Sequence, residues 1–162
     1  MTRLRAAAAT LAVRLSALLC ALLGALMGAL LPGQAAAQPA VTNPRSLYVL
    51  HCAGCHGMDA SGVPGQGVPS MRGNLGQFMQ RPEGRAFLLQ VPGVNNAGLT
   101  DAQIALVTNW MVQQFSADTA PPGWPAYTAA EVAAAKAARP SDVSRARADL
   151  VARLQRDGID LK

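Results

Sequence analysis

After an apolar opening, the chain spaces its apolar residues at helical intervals. Residues 15–31 (LSALLCALLGALMGALL) are uncharged throughout. Beyond them, residues 44–50 (PRSLYVL) form a short apolar group with proline at a helix-starting position, which predicts a helix. Residues 84–91 (GRAFLLQV) predict another short helix, stopped by Pro92-Gly93. Thr100-Asp101-Ala102-Gln103 is a capping box, and Ile104, Val107 and Met111 follow on one helical face, widened by Leu106 and Trp110. That helix is expected to end near Phe115. Thr128 to Glu131 predicts a further helix, ended by Arg139-Pro140. A last helix is expected from Ser141 to about Asp157, with Val143, Ala146, Leu150 and Leu154 as its apolar stripe. No alternating pattern stands out as a strand, so the expected class is all-α.

Between these segments, glycine and proline mark irregular chain. Residues 57–76 carry Gly57, Gly62, Gly65, Gly67, Gly73 and Gly76 with Pro64 and Pro69, a density that predicts chain wrapped around something. Residues 116–127 hold Pro121, Pro122, Gly123 and Pro125 and read as an extended connector. The expected organisation is a segment at 1–37, a domain at 38–115, and a connector with C-terminal helices at 116–162.

The first 37 residues change the reading of charge and cysteines. Arg3, Arg5 and Arg14, then the apolar run, then Ala35-Ala36-Ala37 form the pattern of a secretory signal cleaved after Ala37. Retention of residues 15–31 as a membrane anchor is the competing reading, because the run approaches spanning length. The whole chain carries 14 Lys+Arg against 9 Asp+Glu, a net of +5. Removing the segment takes three arginines and no acid, which leaves +2. A nearly balanced chain has no basic footprint for nucleic acid. Cys20 leaves with the segment, so Cys52 and Cys55 remain, in an exported chain.

Cys52-Ala53-Gly54-Cys55-His56 carries the chemistry. Two thiols separated by two residues can add to the two vinyl groups of one haem, and the adjoining histidine then stands against the iron. A redox dithiol would need a βαβ setting, and a zinc site two more ligands. The expected cofactor is one covalently bound haem c, with Cys52 and Cys55 as attachment points and His56 as an axial ligand. His51, beside the motif, reads as a surface or propionate-contacting residue. Arg72, Arg81 and Arg85 are candidate propionate partners or solvated surface.

The stretch 47–115 resembles the class I c-type cytochromes. Leu47-Tyr48 resembles their first helix, with Trp110 at the matching place on the last core helix. Cys55-His56-Gly57 with Asp59 and Gly62 resembles their opening loop, and Pro69-Ser70-Met71-Arg72-Gly73 their proline segment. The resemblance implies a small helical domain around one haem. It also implies that the Pro69 carbonyl accepts a hydrogen bond from His56 and orients it. The chain departs from the family at the sixth iron ligand, because residues 93–99 contain no methionine. Met79, Asn95 and Asn96 are the candidates for that position.

The expected function is a periplasmic electron carrier or electron-transfer subunit rather than an enzyme. Its partners would be redox proteins such as a periplasmic dehydrogenase and a terminal acceptor. A haem enzyme or gas-binding protein with an open distal side is the second reading. A third makes residues 116–162 a docking element for a larger complex.

Overall fold

Capping side chains and helix-starting prolines set most of the element boundaries. The computed structural model describes residues 42–161; the signal expected at 1–37 lies outside them. Asn43 accepts from the Ser46 amide and Pro44 follows, which starts α1 (Pro44–His51). A single helical turn, α2 (Ala53–His56), comes next. The glycine-rich stretch is irregular apart from a 3-10 turn at Pro64–Gln66 and the short α3 (Asn74–Phe78). It is followed by α4 (Pro82–Leu88) and α5 (Pro92–Asn95). The capping box at Thr100 and Gln103 opens α6 (Asp101–Phe115), the longest helix among the described residues. Two more complete the chain, α7 (Ala129–Ala137) and α8 (Val143–Arg156). Among the described residues there is no strand, only an isolated bridge between Val63 and Val68. The protein is all-α. No helix among these residues is long and apolar enough to cross a membrane.

Two boundaries and one buried face differ from the sequence reading. Pro92 starts a helix instead of stopping one, because its missing N–H costs nothing in a first turn. Asp142, not Ser141, caps the last helix, its carboxylate accepting from the Arg145 amide at 2.8 Å. On α6, Leu106 is exposed, and the buried face widens instead through Ala105, Thr108 and Val112. That helix packs on both α1 and α7, so its buried surface extends beyond one stripe.

The main core gathers Leu47 and Tyr48 of α1 with Ile104, Val107, Met111 and Val112 of α6. Tyr48 meets the Trp110 ring at 5.4 Å and the Phe115 ring at 5.1 Å between centroids. The core does not end at residue 115. Tyr127, Val132 and Ala135 belong to the same cluster. A second cluster joins Phe78 and Phe87 to Leu150 and Leu154 of α8. Polar contacts tie the same parts together. Arg85 grips Glu131 with two hydrogen bonds, at 2.6 and 2.8 Å, and its guanidinium lies 3.9 Å from the Tyr127 ring centroid. Asn109 exchanges two hydrogen bonds with the Tyr127 backbone. The connector and α7 are therefore integral to the core.

Where α4 crosses the end of α3, only glycine fits. A Cβ on Gly84 would sit 2.0 Å from the Phe78 carbonyl oxygen. This close approach holds Phe78 beside Phe87, with ring centroids 5.8 Å apart, and the two rings form one wall of the cavity described next.

Candidate functional site

The motif sits at the junction of two short helices. Cys52 ends α1, its amide donating to the Tyr48 carbonyl, and opens α2 by accepting from the amides of Cys55 and His56. Gly57, at φ +77°, ends that turn, and its carbonyl accepts the Tyr48 hydroxyl at 2.5 Å. The chain then curls so that the Gly62 amide donates to the His56 carbonyl at 2.8 Å. This places Pro69 beside the imidazole. His56 Nδ1 lies 3.1 Å from the Pro69 carbonyl oxygen, so Nδ1 carries the proton it donates and Nε2 keeps its lone pair.

The proline segment is itself anchored. The Met71 amide donates to Ala60, and Ser116 Oγ donates to the Met71 carbonyl at 2.8 Å. Thr119 Oγ1 donates to the Gly73 carbonyl at 2.6 Å. The end of α6 and the connector thereby fix the carbonyl that orients His56. Burial pushes the His56 imidazole below its usual value near 6.5, and the bond to Pro69 partly offsets the shift. The neutral ring is the form that ligates metal.

Gly62 makes this arrangement testable. Its φ is +66°, and an added Cβ would fall 2.6 Å from the Pro69 carbonyl oxygen. Gly62→Ala therefore strains the backbone and displaces the one acceptor of His56 Nδ1, at a cost of about 1–3 kcal/mol. The expected result is a less stable protein with an altered imidazole environment, read from denaturant unfolding and the NMR signals of His56. A variant with wild-type values in both measurements would contradict this role for Gly62.

Cys55 and His56 open onto a cavity of about 420 Å³, within the usual range for small-molecule and cofactor sites. Pro69 and Met71 line one side. Leu75, Phe78, Phe87, Leu88 and Val91 add an apolar wall, and Val143, Ser144 and Arg147 of α8 complete it. Both thiols are free. Cys52 is half-buried, packs against the main core and does not line the cavity; burial, then the neighbouring Cys55, raises its pKa. Among the described residues the lining contains no carboxylate, and Arg147 is its one Lys or Arg side chain. A neutral oriented imidazole, a thiol on the wall and a large apolar volume fit a flat apolar cofactor with a metal at its centre.

The other candidates lie elsewhere. Met79 is buried in the main core. Asn95 directs its amide to the carbonyls of Leu89 and Val91, both at 3.1 Å, and Asn96 caps α5. None of the three lines the cavity, because each is used by its own turn or by the core. His51 is exposed at the end of α1. The three candidate propionate arginines are paired away from the cavity: Arg72 with Asp59, Arg81 with Asp157 and Glu83, Arg85 with Glu131. Sequence reasoning missed Phe87 and Val91 as lining residues, along with the α8 contribution. The available signal was Arg147 four residues after Val143, which sets it at the edge of the apolar stripe rather than on the opposite face. No family model and no curated protein matches this chain.

Proposed function

We propose that this chain is an exported monohaem c-type cytochrome that carries electrons, alone or as a subunit, between periplasmic redox proteins. One observation carries the reading. Cys55 and His56 of the Cys52-x-x-Cys55-His56 motif open onto a large apolar cavity, with the imidazole already oriented by the Pro69 carbonyl. One haem, held through Cys52 and Cys55, would supply one-electron chemistry at its iron. His56 would hold the iron through Nε2, and Pro69 would fix its tautomer and raise its basicity. Phe78, Phe87, Leu88 and Val91 would give the cofactor apolar contact on one side. The helical arrangement supports a class I cytochrome-like domain whose C-terminal extension closes the cavity. The export assignment rests on the pattern of residues 1–37. Partners of an electron carrier are met briefly, through small interfaces. Voltammetry of the holoprotein should show a reversible one-electron couple; a haem that exchanges no electrons with an electrode or a periplasmic donor would overturn the carrier function.

A second reading has its own observation. Apart from His56, the only thioether or imidazole lining the cavity among the described residues is Met71, two residues from Pro69 in the same segment as the imidazole's acceptor. The walls from α4, α5 and α8 offer no methionine, histidine, lysine or tyrosine. An iron without a strong sixth ligand would bind small molecules. Rapid, complete carbon monoxide binding to the reduced protein is the outcome this wall favours. A methionine-to-iron absorption band in the oxidised protein would overturn it.

A further inference from the structure

We propose that Arg147 of α8 is the counter-ion for a propionate carboxylate of the cofactor, which makes the C-terminal extension part of the cofactor site. The inference rests on the haem reading above and adds a residue outside the stretch that carries the family resemblance.

Three observations point to it. Among the described residues, Arg147 is the one lysine or arginine lining the cavity, and no carboxylate lines it. Arg72, Arg81, Arg85 and Arg153 each have an acidic partner, whereas Arg147 has no ion pair or hydrogen bond to another described residue. Its guanidinium lies instead 5.9 Å from the centroid of the Phe78 ring, at the outer limit of a useful cation–π contact. An unpaired arginine, partly buried as a residue at an apolar wall, is stabilised by an anion that arrives with the ligand. A porphyrin brings its own carboxylates, and the planar guanidinium can hold one through two hydrogen bonds.

The position of α8 is independently secured. Leu150 and Leu154 are buried against Phe78 and Phe87, and Asp142 caps the helix start. Arg147 lies one turn before Leu150, so the cation is carried on an element fixed by packing.

The test compares reduction potentials of holoproteins. Arg147→Gln removes the cation and leaves the carboxylate uncompensated, which favours the oxidised iron; the midpoint should shift negative. Arg145→Gln, on an exposed position of the same helix outside the cavity lining, makes the same change in net charge and should shift it far less. Arg147→Lys keeps the charge and should stay near wild type. Equal shifts for Arg147→Gln and Arg145→Gln in coloured, folded protein would overturn the assignment while leaving the haem reading intact. If Arg147→Gln fails to fold, Arg147→Met, which removes the charge but keeps an unbranched side chain at the cavity wall, takes its place with the same two outcomes. A colourless wild-type protein would instead overturn the haem reading, and this inference with it.

Discussion

With both Cys52 and Cys55 replaced by alanine, the exported chain is expected to carry no covalently attached chromophore and to lose most of its stability. Thioether attachment requires those two sulfurs, so denaturing electrophoresis should show no haem stain on the polypeptide. The stability loss follows from the cavity, whose apolar walls would lose their buried contacts with the cofactor. Against the whole stability of an ordinary domain, about 5–15 kcal/mol, such a loss is large. The cofactor is thus expected to act as a structural element, occupying a space the side chains leave open. Urea unfolding followed by circular dichroism reads the effect. A variant as stable as the wild-type holoprotein would show that the cavity does not depend on a ligand.

The second large effect is expected at Leu154, far from the motif in sequence. Leu154 is fully buried between α8 and the Phe78–Phe87 pair. Leu154→Ala should destabilise the protein by about 2–5 kcal/mol, the usual range for a buried leucine. The loss has a functional side, because Phe78 and Phe87 also line the cavity. Loosening α8 should speed entry of small ligands such as carbon monoxide to the reduced protein. Denaturant unfolding and carbon monoxide association rates measure the two effects. A change under about 1 kcal/mol with unaltered association would mean that α8 does not close the site.

The all-α class and the paired thiols were legible in the sequence because each rests on local spacing, whereas the Pro69 acceptor of His56 came only from the family resemblance. Thr100 and Gln103 announce a helix start wherever the rest of the chain lies, and both capping contacts are present. Thr128 likewise caps α7. Neighbouring residues that compete for the same role were harder to read. Ser141 and Asp142 are both competent caps, and the choice depends on a backbone angle that the sequence does not state. Pro92 can stop one helix or start the next, and here it starts one.

What the sequence could not show was the partner of each apolar stripe. Val143, Ala146, Leu150 and Leu154 announce a face that must be covered, but not that Phe78 and Phe87 cover it. The reading that confined the cofactor domain to residues 38–115 followed from that gap. The candidates for the sixth ligand were drawn from composition, and their positions depended on contacts far along the chain. Met79 was absorbed into the core formed by α1 and α6, and Asn95 into the turn after α4.

The most direct test of the whole account is the mass and the visible spectrum of the chain, purified after export from a host with c-type cytochrome maturation machinery. The account predicts a polypeptide heavier than its amino acids by one haem, coloured after denaturation and acid extraction, with the added mass on the peptide containing Cys52 and Cys55. A colourless chain with the mass of its amino acids alone would contradict it.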